Sequence, residues 1–276
     1  MDSYAHAAQI VRTGDRDRYL SDLLAPVPAR HHLLVLHAFN VEIARVRQVT
    51  SEPSLGEIRL QFWRDAIHGD GAGHPLAQAL VETITTFALP LAAFDNLIEA
   101  RRFDLYDDPM PTLNDLEGYA GETSSSLIQL AAIILTGGRS SQSAEIAGHG
   151  GVAWALADLI RALPIHSARG QCYLPADLLD AHEVKRDAVF AGKSSPALLA
   201  ALGELKSVAH NHVEAVRALS DGLDPGIFPA LLPVALVDPE LEALDRSDFD
   251  PFGSKPGLSP LRRQWILWRA SRRRSI

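Results

Sequence analysis

From Leu36 to Trp268 the apolar residues recur at intervals of three and four, and runs alternating apolar with polar residues are scarce. A chain with that period throughout can bury its apolar stripes only by packing helix on helix, so the spacing predicts an all-α bundle. With 276 residues and 47% apolar content there is enough material for one large core. No repeat, low-complexity tract or linker divides the chain, so residues 1–276 are read as a single domain.

Local signals place the elements. Leu36, Phe39, Ile43 and Val46 form one stripe, and Leu55, Ile58, Phe62 and Ala66 form the next. Ser54 with Glu57 three residues on reads as a capping box opening that second helix. Pro75 suits a first turn, with Leu76, Leu80, Ile84 and Phe87 behind it, and Pro90 leads into Leu91, Phe94, Leu97, Arg101 and Leu105. Thr112 with Asp115 opens a helix reaching Leu135, where Gly137 and Gly138 stop it. A further helix is predicted from Gly151 to Leu163, ended by Pro164, and another from Ser195-Pro196 to Leu219. The Pro- and Asp-rich stretch from Asp221 to Pro260 reads as a shorter helix mixed with loop, before a final amphipathic set at Leu261, Trp265 and Trp268.

The net charge of −8 repels nucleic acid and anionic lipid unless the basic residues are segregated, and no nucleic-acid partner is expected. They are segregated in part: residues 261–276 hold Arg262, Arg263, Arg269, Arg272, Arg273 and Arg274 and no acid. No apolar stretch has the length of a signal peptide or a membrane span, which leads to the expectation of a cytoplasmic protein. The single Cys172 cannot form an internal disulfide and reads as a packed apolar residue.

Several blocks in order carry more specific information: YLSDLLAPVPARHHLLVLHAF from Tyr19 to Phe39, SEPSLGEIRLQFWRDAI from Ser51 to Ile67, YAGETSSSLIQL from Tyr119 to Leu130, and RALPIHSARGQCYLP from Arg161 to Pro175. With Ala38-Phe39-Asn40-Val41-Glu42 and Asp248-Phe249-Asp250, they resemble the squalene/phytoene synthase superfamily, most closely the branch containing a mitochondrial respiratory complex I assembly factor. The resemblance spans nearly the whole chain and implies an isoprenoid-synthase-like helical bundle. Enzymes of that superfamily join two prenyl diphosphates head to head, using Mg²⁺ held by aspartates on two facing helices. Aspartates four apart project from one helix face, and the ions neutralise charge as the diphosphate leaves.

The residues matching the first aspartate motif are Ala44, Arg45, Val46, Arg47 and Gln48, and those matching the second are Ala162 and His166. No carboxylate remains at Ala44, Arg45, Gln48, Ala162 or His166, so the resemblance implies a degenerate site with no catalytic residue, no bound metal and no cofactor. Asp158, Arg161 and Arg169 match or nearly match the surrounding pattern and, with Arg45, are candidates for binding an anion or other ligand. Asp104, Asp108 and Asp158 are the remaining candidates for a metal. A structural role near a helix end is the plainer reading of Asp104 and Asp108, and a salt bridge to Arg45 that of Glu42. His210 and His212, two apart on a helix, diverge and make a poor zinc pair.

The role implied by the resemblance is a non-catalytic protein assisting complex I assembly, with complex I subunits or assembly proteins as partners, at the cytoplasmic face of the inner membrane. One alternative is a head-to-head prenyltransferase making squalene or phytoene with Mg²⁺. Another is an isoprenoid or lipid binding protein whose Arg45, Arg161 and Arg169 meet a polar head. For the basic amphipathic segment 261–276 the expectation is that the tryptophans pack on the bundle, while Arg272, Arg273 and Arg274 give weak peripheral contact with anionic membrane.

Overall fold

A computed structural model describes residues 3–70, 73–139, 143–245, 249–253 and 257–276; Asp248 of the Asp248-Phe249-Asp250 block lies outside them. The first half of the chain forms α1 (Ser3–Gly14), α2 (Arg16–Leu23), α3 (Val27–Ala44), α4 (Val46–Val49), α5 (Pro53–Asp65), α6 (Pro75–Phe87), α7 (Leu91–Arg102) and α8 (Leu113–Ala120). The second half forms α9 (Ser126–Leu135), α10 (Ala144–Ala168), α11 (Ala176–Ala181), α12 (Arg186–Phe190), α13 (Pro196–Leu219), α14 (Phe228–Leu231), α15 (Val237–Leu241) and α16 (Pro260–Arg273). Among the described residues there is no strand.

Caps fix many of the ends. Thr112 and Asp115 form the expected capping box at α8. At α13 the Ser195 hydroxyl accepts the Leu198 N–H at 3.1 Å, and Ser259 accepts that of Arg262 at 3.3 Å at α16. Beyond α9, Gly137 and Gly138 take φ of 69° and 85°, the left-handed region that ends a helix.

Two helices form the centre. Every residue of α3 from Leu33 to Val41 is buried, as is every residue of α10 from Gly150 to Ala157. Helices apolar on all sides belong inside a bundle. A π-helical turn, Gly121–Ser125, joins α8 to α9, and α10 rests on it backbone to backbone. A Cβ at Gly151 would lie 2.3 Å from the Ser125 Cα, and the Ser125 hydroxyl donates to the Gly148 carbonyl at 2.8 Å. This contact sets the height at which α10 presents its polar end to α3.

The structure corrects the sequence reading at four places. Helix α5 starts at Pro53 behind Glu52, with no side-chain cap; Glu57 instead accepts from Arg102 and Tyr106. Most of its predicted stripe faces outward: Leu55 is 46% exposed, Ile58 66% and Phe62 39%, whereas Ala66 is buried as expected, and Leu60 and Trp63 are buried with it. Both rows are apolar, and the choice between them is made by neighbours, since Trp63 packs edge-on to Phe39 at 5.4 Å and Leu105 presses on Gly56. Helix α10 begins seven residues before Gly151 and runs through Pro164 to Ala168. Proline removes one ladder bond, but burial of Leu163 and Ser167 holds the last turn. Among the described residues after Asp221, the expected shorter helix is two short helices, α14 and α15, among 3₁₀ turns.

The fourth correction concerns α16. Its buried residues are Arg263, Leu267 and Ala270, whereas Leu261 is 78% exposed and Trp265 and Trp268 are 54% exposed. The tryptophans do not pack on the bundle. Arg263 turns the helix, because its guanidinium binds Asp17 of α2 at 2.5 Å and also Glu240 of α15.

Candidate functional site

A cavity of about 460 Å³ opens between the C-terminal end of α3, α4, and the second half of α10. From one side it receives Ala44, Arg45, Arg47 and Gln48; from the other, Asp158, His166 and Arg169. Ala162 and Arg161 line its continuation toward α2. The positions matched to the two aspartate motifs therefore do face one space. The first of them is split by a break in the helix, since α3 ends at Ala44 and Arg45 lies between it and α4.

The inner wall is organised by Asp104. It sits in a 3₁₀ turn, Phe103–Leu105, at the end of α7. Its Oδ1 accepts from the hydroxyls of Tyr119 at 2.7 Å and Tyr173 at 2.8 Å, and its Oδ2 accepts from Arg101 at 3.1 Å. Arg101 also donates to Tyr119 at 2.7 Å, and the Asp104 carbonyl accepts from Gln171 at 3.1 Å. Burial, followed by the electrostatics around Asp104, raises both tyrosine pKa values well above the usual phenol range, so both remain donors at any physiological pH. Burial works against the charge of Arg101, and the Asp104 carboxylate beside it, with the Tyr119 hydroxyl accepting its second hydrogen bond, keeps it charged. Asp104 is a hydrogen-bonded hub with both oxygens engaged. Asp108 lies exposed beyond the turn and outside the cavity, so the spacing of four to Asp104 does not put the pair on one helix face.

Other carboxylates around the cavity have basic partners. Asp15 caps α2 and binds Arg18 at 2.6 Å; burial works against its charge, and Arg18 overcomes it, holding the pKa below the usual value. Asp158 pairs with Arg161, whose pKa it raises. Glu42 pairs with Arg45 at 3.1 Å, as the sequence suggested. His166 tilts against the Tyr173 ring at 4.8 Å, and burial lowers its pKa, favouring the neutral imidazole. The basic side is less occupied. Arg47 reaches Asp107 only at 3.5 Å, its Nε is buried without a hydrogen-bond partner, and Arg169 forms no ion pair among the described residues.

Mg²⁺ does not fit this arrangement. A hard cation needs several free oxygens. Here the five motif positions offer a lone amide oxygen, from Gln48, and no carboxylate, while Asp104 has both oxygens held by donors and Asp158 has one held by Arg161. Elsewhere, His210, Glu214 and Asp238 lie close enough to hold an ion, but Arg217 bridges both carboxylates. His212 points away from that group, to His149 at 2.8 Å and Glu117 at 3.2 Å, so the two histidines diverge as expected. Cys172 is buried, and burial raises its thiol pKa, which suits a packing role.

Sequence reasoning missed Arg101, Tyr119, Tyr173 and Gln171 as parts of the site. Their weak signal was that Tyr119 and Tyr173 lie in the motif blocks and Arg101 stands three residues before Asp104.

The squalene/phytoene synthase family matches residues 11–269. The complex I assembly factor 6 of Rattus norvegicus is 30% identical over 276 residues, covering 97% of this chain and 83% of the relative. A phytoene synthase of Thermus thermophilus is 24% identical over 266 residues, covering 95% of this chain and 90% of that enzyme. Among solved structures, a dehydrosqualene synthase superposes with a TM-score of 0.85 at 18% identity, covering 98% of this chain and 96% of the other; that likeness shows the isoprenoid-synthase helical fold.

Proposed function

The chain belongs to the squalene/phytoene synthase family, and from that premise we propose that it is a non-catalytic member that assists the assembly of respiratory complex I. The observation that carries the reading is chemical. The space where a metal clamp would sit is lined at the motif positions by Ala44, Arg45, Gln48, Ala162 and His166. The relatives named as complex I assembly factors support the direction in which catalysis was replaced. No cofactor is needed for such a role. Partners would be complex I subunits or other assembly proteins, met at the cytoplasmic face of the inner membrane, with the protein attached peripherally. No helix among the described residues is long and apolar enough to cross a membrane. Affinity capture from the protein's own cell type is expected to recover subunits of the peripheral arm in amounts above an untagged control. Recovery of none would count against the role.

One observation favours a second property of the same cavity. Arg45, Arg47, Arg101 and Arg169 all line the cavity, and Arg169 forms no ion pair among the described residues. Guanidinium groups bind phosphate or carboxylate directly. The cavity is therefore suited to hold an anionic head group without metal, with Arg161 and Asp158 at its edge. Its volume is ordinary for a ligand site, but its lining is more polar than an isoprenoid chain would favour.

A further inference from the structure

We propose that α16 is a membrane-contacting surface that seats the protein on a bilayer containing anionic phospholipid. The inference deepens the peripheral attachment suggested above, and it rests on the orientation of one helix. At about 100° per residue, Leu261, Trp265, Trp268 and Arg272 fall within an arc of about 60°. Leu261 is 78% exposed and both tryptophans 54%. The opposite face, Arg263, Leu267 and Ala270, is buried. The helix cannot roll to hide its tryptophans, because the Arg263 guanidinium is held at 2.5 Å by Asp17 and also by Glu240.

The exposed face has the chemistry of a bilayer interface. Indole rings settle at headgroup level, where an apolar body and an N–H donor are both satisfied. Arginines beside them meet lipid phosphates: Arg269 lies with its guanidinium 5.1 Å from the Trp265 ring centroid, and Arg272, Arg273 and Arg274 follow. None of these four arginines forms an ion pair among the described residues. Arg262, by contrast, faces Glu242 at 3.8 Å and is partly committed. Because the whole chain carries −8, an anionic membrane repels most of its surface and attracts this face, which orients the protein as well as holding it.

Intrinsic fluorescence provides a direct readout. Trp63 and Trp154 are 5% and 7% exposed, so a change in emission on adding vesicles reports on Trp265 and Trp268. With vesicles of about one third phosphatidylglycerol in phosphatidylcholine, the intact chain is expected to co-sediment and its emission to shift to the blue, both reversed by high salt. R272Q/R273Q should weaken binding about tenfold or more. W265A/W268A should abolish the shift and most of the binding. All four side chains are exposed, so melting temperatures should match the parent, and agreement there separates lost binding from lost folding. Absence of binding, equal binding to pure phosphatidylcholine, or binding unchanged in R272Q/R273Q would overturn the proposal. So would a dimer that W265A/W268A converts to monomer, which would assign the face to a second copy. The assay contains no respiratory subunit, so its failure leaves the assembly reading standing.

Discussion

Incubation with farnesyl or geranylgeranyl diphosphate and Mg²⁺ or Mn²⁺ is expected to yield no squalene or phytoene above a boiled control. Ionising a diphosphate in a protein interior requires charge neutralisation by metal, a contribution of several kcal/mol, and each 1.36 kcal/mol is a factor of about ten in rate. The chain has no carboxylate at Ala44, Arg45, Gln48, Ala162 or His166 with which to hold the ions. Its remaining cavity carboxylates are engaged by Arg18, Arg101, Tyr119, Tyr173 and Arg161. Arginines on the rim could bind the diphosphate but would not assemble the two-sided clamp. Product measured by mass spectrometry above the control would show that another metal arrangement forms, and would return the protein to the enzymes.

The second large effect concerns stability. Replacing Arg263 by Met is expected to lower unfolding free energy by about 3–5 kcal/mol, because Asp17 and Glu240 are left buried without their cation. Neutralising the partners as well, in R263M/D17N/E240Q, should recover most of that loss, since well-packed neutral groups replace buried ion pairs at little cost. The pH dependence has a definite sign. Burial raises the Asp17 pKa, with Arg263 opposing it, so folding favours the protonated carboxyl. That contribution is present below the unfolded pKa and is lost as pH rises through the higher folded value. Removing Arg263 takes away the opposing charge and lifts the folded value further, so the deficit of R263M should be smaller at pH 5 than at pH 8. Chemical denaturation at the two pH values checks this; an equal deficit at both would mean that packing, not charge, is what Arg263 supplies.

The features legible in the sequence were those decided locally. Helix α13 begins and ends where Ser195-Pro196 and Leu219 put it, because a cap and a proline act within one turn. The capping box of α8 is equally local. The exposed faces of α5 and α16 were not legible. On α5, two apolar rows compete, and the buried one is chosen by Phe39 and Leu105, which lie in other helices and turns. On α16, an arginine is buried alongside Leu267 and Ala270, and its partner Asp17 stands 246 positions away. Apolar spacing alone would bury the tryptophans, since no pattern on the helix itself announces two buried carboxylates elsewhere. The cavity shows the same division. Its motif positions were found because they are counted from neighbouring blocks, whereas the Asp104 hub draws Tyr119 and Tyr173 from segments that only the fold brings together.

The proposed exchange of catalysis for a part in building complex I can be read out in cells. The most direct measurement is NADH:ubiquinone oxidoreductase activity in membranes of a strain lacking the gene, beside one carrying it back on a plasmid. Activity and the amount of fully assembled complex on native gels are expected to fall several-fold in the deletion, the plasmid to restore both, and squalene and carotenoid content to stay unchanged. Normal activity with a fully assembled complex in the deletion strain would contradict it.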